Sequence, residues 1–198
     1  MVQTLSMQEK SAWDMEDNMT SILKVDTLQD ASGTGTPYIK DAVLQVKQGI
    51  LRTTWTQDAG TTAFEDTPLS VTITPQSTSS KILITGMINF SGLGGSHVDF
   101  KVVRNGADIL LSTSTMGSRT KSHIHYFVGT ADDVYQIQTA PLNLLDEPSS
   151  TSALTYTLRA ATPHNNSYQA MLNRVSTDAD HNYNAYTVST ITVMEIGG

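Results

Sequence analysis

The stretch KILITGMINF, Lys81 to Phe90, has the alternating apolar pattern of a long β-strand. One face of this strand carries Ile82, Ile84, Ile88 and Phe90. Because successive side chains of a strand point to opposite sides, Leu83 and Met87 lie on the other face. The stretch therefore predicts a strand with a continuous core face and further apolar groups on its second face.

A second stretch, STITVMEIGG, repeats this two-sided pattern between Ser189 and Gly198. Alternation places Ile191 and Val193 on one face. The opposite face carries Thr192, Met194 and Ile196. A strand that is apolar on both sides either is buried inside one domain, or uses one side for its own core and the other for another chain.

Short alternating runs between turn signals recur from Asp41 onward and indicate further strands. They cover residues 42–48, 69–74, 98–102, 109–111, 122–128, 134–145, 153–161 and 168–175. The pair Asn105 and Gly106 supplies the positive φ angles of a type I′ hairpin turn. About nine or ten strands without a second helical pattern predict an all-β sandwich or barrel.

The first 40 residues differ from the rest of the chain. Ser6 and Glu9 have the spacing of a helix capping box, and apolar residues follow at heptad positions. This predicts an amphipathic helix over residues 7–24, either an ordinary docking helix or a short coiled coil. Glycines and a proline over residues 25–40 predict an extended arm or linker. We therefore expect an attachment segment, residues 1–40, and a head domain, residues 41–198.

Composition excludes several classes of function. The chain has 12 Lys and Arg against 19 Asp and Glu, a net charge of −7, so nucleic acid and anionic membrane surfaces are not expected as partners. The absence of cysteine excludes disulfides, thiolate metal sites and a cysteine nucleophile. The first residues lack the features of a secretory signal, and no run has the length of a membrane span. We expect a protein made in the cytoplasm, without membrane insertion.

No catalytic motif stands out in the sequence. Adjacent carboxylates occur in the predicted head domain at Glu65–Asp66, Asp132–Asp133 and Asp146–Glu147. Strand geometry sends the two members of such a pair to opposite faces, which makes them poor acid and base partners. The chain also lacks the G-x-S-x-G elbow and the lysine-containing phosphate loop. We therefore expect no enzymatic activity and no cofactor.

Five stretches between residues 42 and 198 stand in a distinctive order and spacing. They are AVLQVKQ, DTPLSVTITPQSTSSKILITGMINF, VVRNGADILL, LDEPSSTSALTYTLRA and STITVMEI. Together they resemble the C-terminal domain of fibre-like virion proteins of tailed phages, especially those of marine and freshwater cyanobacteria. The resemblance does not extend to residues 1–40.

This resemblance implies a jelly roll similar to the tumour necrosis factor and complement globular heads, which form tight three-fold assemblies. The expected fold is thus an all-β, antiparallel jelly-roll sandwich preceded by a short N-terminal helix and an extended arm. In such heads the first and last strands are neighbours in one sheet, whose outer surface faces other subunits. The implied candidates for the subunit interface are Leu83, Met87, Met194 and Ile196.

His123 and His125 form an H-x-H pair on one predicted strand face. In phage fibres, such a pair repeated by three chains can enclose a metal ion on the three-fold axis, where six imidazoles converge. Solvent-facing histidines of a strand are the alternative interpretation. We expect no metal ion, and keep His123 and His125 as the candidate ligands should one bind.

The segment from Asp178 to Asn184 places oxygen ligands at alternating positions, as the start of a calcium loop does. However, Tyr183 stands where the loop needs glycine, and Ser189 where it needs glutamate. Aromatic and amide groups suit contact with a sugar or a protein, and an ordinary solvated loop is the alternative. The candidate ligand-binding residues are Asp178, Asp180, His181, Asn182, Tyr183 and Tyr186.

These observations favour a structural virion protein: a homotrimeric tail fibre or fibre tip that attaches to another virion protein through residues 1–40. Its head would bind a host surface receptor, with a glycan as the candidate ligand. A capsid decoration, cement or head-fibre protein is the alternative, with the same residues lying on the shell. A soluble lectin or signalling ligand of a cell is a third hypothesis, which the lack of an export signal and of cysteine disfavours.

Overall fold

The computed structural model describes residues 41–114, 117–129 and 135–198, and these residues are all-β. The strands are β1 (Val43–Leu51), β2 (Trp55–Thr56), β3 (Glu65–Ile73), β4 (Lys81–Gly92), β5 (His97–Arg104), β6 (Ala107–Asp108), β7 (Ile124–Phe127), β8 (Gln138–Asp146), β9 (Leu154–Ala161), β10 (Ala170–Leu172) and β11 (Ser189–Ile196). The predicted helix and arm, residues 7–40, lie outside the described residues. None of the described segments forms a helix with the length and apolarity of a membrane span.

The strands form two antiparallel sheets. Sheet A has the order β1-β11-β4-β8, and the short strands β10 and β2 extend it beside the far end of β4. Sheet B has the order β3-β9-β5-β7, with β6 beside the other end of β5. Without the three short strands, the eight main strands follow the order 1-8-3-6 in one sheet and 2-7-4-5 in the other. This double Greek key confirms the predicted jelly-roll sandwich.

The core lies between the two sheets and follows the predicted alternation. On β4 the buried side chains are Ile82, Ile84, Ile88 and Phe90. Phe90 packs edge-on against Phe100 of β5, with ring centroids 4.9 Å apart, and so joins the sheets. Each fully buried side chain of this size contributes about 1.5–3 kcal/mol. The face of β4 that carries the core was therefore predicted correctly.

β11 is a central strand of sheet A, hydrogen-bonded to β1 on one side and β4 on the other. Ile191 and Val193 are fully buried, whereas Thr192 and Met194 are partly exposed on the outer face. The neighbour and the core face that we expected for this strand are both confirmed.

The inner face of β11 also buries a carboxylate. Glu195 is fully buried and accepts hydrogen bonds from the side chains of Ser80 at 2.7 Å and Gln45 at 2.6 Å. It also accepts one from the backbone N–H of Gln76 at 2.6 Å. These donors tie the turn before β4 and the start of β1 to the final strand, which the sequence pattern alone does not reveal.

Three predicted strand boundaries were wrong. The return strand of the Asn105–Gly106 hairpin is β6, not residues 109–111, because Leu110 has a φ of 52° that interrupts the extended backbone. β10 covers only three residues of the predicted 168–175, since Asn173 has a φ of 62°. β8 begins at Gln138, four residues later than expected. The hairpin turn itself is confirmed by φ angles of 48° and 80° at Asn105 and Gly106.

Candidate functional site

The outer face of sheet A carries a row of apolar side chains that crosses four strands. Val46 of β1 lies opposite Met194 of β11, and Met194 lies opposite Leu83 of β4. Leu83 in turn lies opposite Leu145 of β8. Directly opposed side chains in antiparallel strands are close enough to touch. We call Val46, Met194, Leu83 and Leu145 the apolar row.

The ends of the apolar row are open to solvent. Val46 is 53% exposed and Leu145 is 44% exposed. Four residues further along their strands from Val46 and Leu83, Ile50 and Met87 are also exposed, and they lie on either side of Thr190. A polar row separates these two apolar zones and consists of Gln48, Thr192, Thr85 and Asn143. The outer face of sheet A is therefore a patterned apolar surface.

The structure brings the predicted interface residues onto this one face. Leu83 and Met194 are direct neighbours. Met87 lies four residues further along β4 and points to the same face. Ile196 pairs with Lys81 at the near end. The sequence did not identify Val46, Leu145 and Ile50 as members of the same face, because their membership depends on strand order and register.

A second candidate surface is the loop that contains Asp178 and Tyr186. The Tyr186 hydroxyl donates a hydrogen bond to Asp178 Oδ1 at 2.8 Å, and this bond raises the pKa of the tyrosine. Arg174 lies 3.3 Å from the other carboxylate oxygen. Asn184 closes the loop by donating to the backbone oxygens of Thr177 at 3.0 Å and Ala179 at 2.6 Å. Both oxygens of Asp178 thus have a partner within the loop.

Aromatic rings are exposed on this loop. His181 stacks on Tyr183 with ring centroids 4.9 Å apart and an interplanar angle of 17°. Tyr135, which precedes β8, packs edge-on against Tyr183 at 5.6 Å. The exposed fractions are 50% for Tyr135, 59% for Tyr183 and 71% for Tyr186. Asp180 and His181 line a pocket of about 290 Å³ beside these rings, and Asn182 is exposed between His181 and Tyr183.

The predicted members of this surface therefore lie together, and one further member joins them. Tyr135 was not among the candidates, because 48 residues separate it from Tyr183 in the chain. No local sequence signal indicates that contact. We call Tyr135, His181, Tyr183 and Tyr186 the aromatic surface.

The predicted histidine pair is not a pair in the structure. His123 accepts a hydrogen bond from the Val102 N–H at 3.0 Å and donates one to the Ile109 oxygen at 3.0 Å. Burial lowers the pKa of His123, and the hydrogen bond from Val102 occupies the lone pair that a metal ion would need. His125 turns elsewhere and donates to Asp99. His123 is therefore a structural residue, and the H-x-H interpretation was wrong for it.

The carboxylate pairs at 65–66 and 146–147 take part in ion pairs. Asp66 pairs with Arg159, and Glu147 lies 2.9 Å from Lys81. Asp146 is buried and accepts hydrogen bonds from Arg104 at 2.6 Å and from the Tyr156 hydroxyl at 2.7 Å. Burial raises the pKa of Tyr156, and the bond to Asp146 raises it further. The described carboxylates of these pairs thus have structural partners of their own.

The chain was also compared with known proteins. No protein-family model matches it, and no curated protein matches it at a significant level.

Proposed function

We propose that the protein is a structural virion protein, a homotrimeric tail fibre or fibre tip, whose head binds a receptor on the host surface. The observation that carries this proposal is the apolar row on the outer face of sheet A. Soluble monomers rarely expose a contiguous apolar surface of this kind without using it for contact. The virion location and the trimeric state in this proposal are inferred from the resemblance of residues 42–198 to phage fibre heads.

The position of the apolar row suits contact between copies of the chain. Neighbouring strands are about 4.8 Å apart, so a row across four strands extends about 14 Å. It runs through β11 and β4, which are the central strands of sheet A. A second and third copy placed against this face would remove Val46 and Leu145 from water. Each side chain of this size, when fully buried, contributes about 1.5–3 kcal/mol.

The aromatic surface supports the receptor-binding part of the proposal. The exposed ring of Tyr183 presents an apolar face, while Asp180 and Asn182 beside it offer hydrogen-bonding groups. Sugars combine an apolar ring face with hydroxyl groups, so this combination of chemistry suits a glycan. The loop is held in shape by Asn184 and by the Tyr186–Asp178 bond. A fixed loop loses less conformational entropy when a ligand binds.

The location of the protein in intact particles tests the proposal. Gold-labelled antibodies against the head domain are expected to mark the tail or its fibres, and the purified chain is expected to have three times its monomer mass in light scattering. Label on capsid faces or vertices would instead support the decoration protein. Absence of the protein from purified particles, or a monomeric chain at micromolar concentration, would contradict the proposal.

Receptor binding is tested separately by substituting Tyr183. We expect Tyr183→Ala to weaken binding of the purified trimer to extracted host surface polysaccharide by tenfold or more, because the exposed ring is lost. Tyr126→Ala is the matched control, since Tyr126 is also a partly exposed tyrosine but packs on Phe90 and is not part of the aromatic surface. Surface plasmon resonance measures both. Equal binding by the wild type and the Tyr183 variant would exclude the aromatic surface as the binding site.

A further inference from the structure

Three histidines gather around one buried carboxylate on the outer face of sheet B. His97 and Asp99 belong to β5, and His125 of β7 lies opposite Asp99 in the strand register. His164 follows β9, and its ring packs edge-on against that of His97 with centroids 5.3 Å apart. His97, His125 and His164 line one pocket of about 600 Å³ together with Asp99. This cluster is separate from both surfaces described above.

Asp99 is the central group of the cluster. Its side chain is 1% exposed, yet it carries a carboxylate. Oδ1 accepts hydrogen bonds from His125 Nδ1 at 2.7 Å and from the Ser122 hydroxyl at 2.9 Å. Oδ2 is buried and has no hydrogen-bond partner among the described residues. A negative charge removed from water in this way favours any cation that binds next to it.

His97 and His125 have the separation of two metal ligands. Their nitrogens Nδ1 and Nε2 are 3.4 Å apart, a long hydrogen bond that a metal ion bound to both nitrogens would replace. Two nitrogen ligands of a tetrahedral zinc ion, with Zn–N bonds of about 2.0–2.1 Å, are about 3.3–3.4 Å apart. A metal-bound histidine commonly donates its other N–H to a carboxylate, which fixes the ring and increases its basicity. His125 already makes this bond to Asp99.

We propose that His97 and His125 bind a divalent transition-metal ion such as Zn²⁺, and that Asp99 orients His125 for it. The described residues contain no assembled group of three metal-binding side chains, so a third ligand must move into place. The exposed ring of His164 packs against His97 and is the candidate third ligand. Water in the pocket completes the coordination. Imidazole ligands suit zinc, copper and nickel, whereas calcium and magnesium prefer oxygen.

Calorimetric titration of the chelator-treated full chain tests this site. We expect one Zn²⁺ to bind per chain, Ni²⁺ to bind as well, and Mg²⁺ to give no heat at the same concentrations. His97→Ala and His125→Ala should each weaken Zn²⁺ binding at least tenfold, and Asp99→Asn by 10- to 100-fold. His164→Ala should also weaken it, and unchanged affinity in that variant would exclude the third ligand. His181→Ala is the matched control, because His181 stacks on Tyr183 outside the cluster.

If a variant fails to fold, a measurement on the wild type still tests whether His97 and His125 bind the metal ion. Paramagnetic Co²⁺ added to the folded chain should broaden the ring proton signals of His97 and His125 at concentrations that leave His181 unchanged. The absence of saturable Zn²⁺ binding up to 1 mM would overturn the proposal. Equal affinity in the wild type and in folded His97→Ala and His125→Ala variants would overturn it too, as would Co²⁺ broadening of all histidines alike.

Discussion

The two sheets have the same architecture, but their outer faces carry side chains of different chemistry. Sheet A presents the apolar row, whereas β3 and β9 of sheet B present charged and polar side chains. On sheet B, Arg159 pairs with Asp66. Lys101 pairs with Asp108 at 2.7 Å and lies over the Phe64 ring at 4.3 Å. The inner faces of both sheets contribute to one apolar core, so the difference lies in the outer faces.

This contrast shows which surface suits water and which suits a partner. On sheet B, Lys101 and Arg159 have charged partners within the same chain, so neither needs a counterpart from a second copy. On sheet A, Val46 and Leu145 at the ends of the apolar row are exposed to water. Contact with an apolar neighbour would be more favourable for these side chains. An antiparallel sheet commonly has one wet face and one dry face. Here sheet A is apolar on its outer face as well as on its inner one.

The largest expected effect comes from removing β11, on which the apolar row depends. Deletion of Ser189–Gly198 separates β1 from β4 and removes Ile191 and Val193 from the core. It also leaves the donors around Glu195 without their acceptor. We expect no cooperative thermal unfolding, as measured by circular dichroism. A deletion variant that melts cooperatively would show that β11 is dispensable.

The next effect compares the same substitution on the two faces. Met194→Asp places a carboxylate in the middle of the apolar row, while Thr72→Asp places one on the exposed outer side of β3 in sheet B. An unpaired charge buried at an interface costs about 3 kcal/mol or more. We therefore expect Met194→Asp to dissociate or aggregate the proposed trimer and Thr72→Asp to leave it intact.

Light scattering and thermal melting measure both variants. If Met194→Asp remains trimeric with an unchanged melting temperature, the apolar row is not the subunit interface. If both variants dissociate, the difference between the two faces has no bearing on assembly.

The sequence predicted which side chains share a face within one strand, but not which strands lie side by side or in which register. Alternation within one stretch was sufficient to place Ile191 and Val193 on one face and Met194 on the other, and the structure shows that the first face is the core. The apolar row, however, joins β1, β4, β8 and β11, and its composition depends on a register that no single stretch encodes. For the same reason the contact between His97 and His125 was not predicted.

Strand ends were also difficult to predict, because single backbone angles decide them. Leu110 and Asn173 take positive φ angles that end extended segments, and neither residue is the glycine that usually marks such a position. The hairpin at Asn105 and Gly106 was predicted because its residues are those that the turn type requires.

A smaller effect concerns pH and the edge of sheet B. Burial lowers the pKa of His123 below the usual value of 6.5. The unfolded chain therefore binds a proton at this residue before the folded chain does, and stability falls as pH decreases below 6.5 until the folded-state pKa is reached. The loss is at most about 1.4 kcal/mol per pH unit in that range. His123→Gln should flatten this dependence in melts between pH 7.5 and 5.5.

His181→Gln is the control for that experiment, because His181 is exposed on the aromatic surface. Its pH dependence should match that of the wild type. A His123→Gln variant with the wild-type slope would mean that His123 does not contribute to the loss of stability in acid.

The smallest effect should come from removing charge from sheet B. Arg159 contacts Asp66 through a hydrogen bond that raises the pKa of the guanidinium, but the Asp66 side chain is 60% exposed. Partly exposed ion pairs contribute about 0.2–1 kcal/mol, so Arg159→Ala should lower the unfolding free energy in urea by no more than that amount. Asp66→Ala and the double variant complete a cycle that isolates the pair. A coupling above about 2 kcal/mol would mean that ion pairs fix the structure of sheet B. With that small value, we expect the added charge on sheet A to cost more than the charge removed from sheet B, because the outer face of sheet A is the proposed subunit interface.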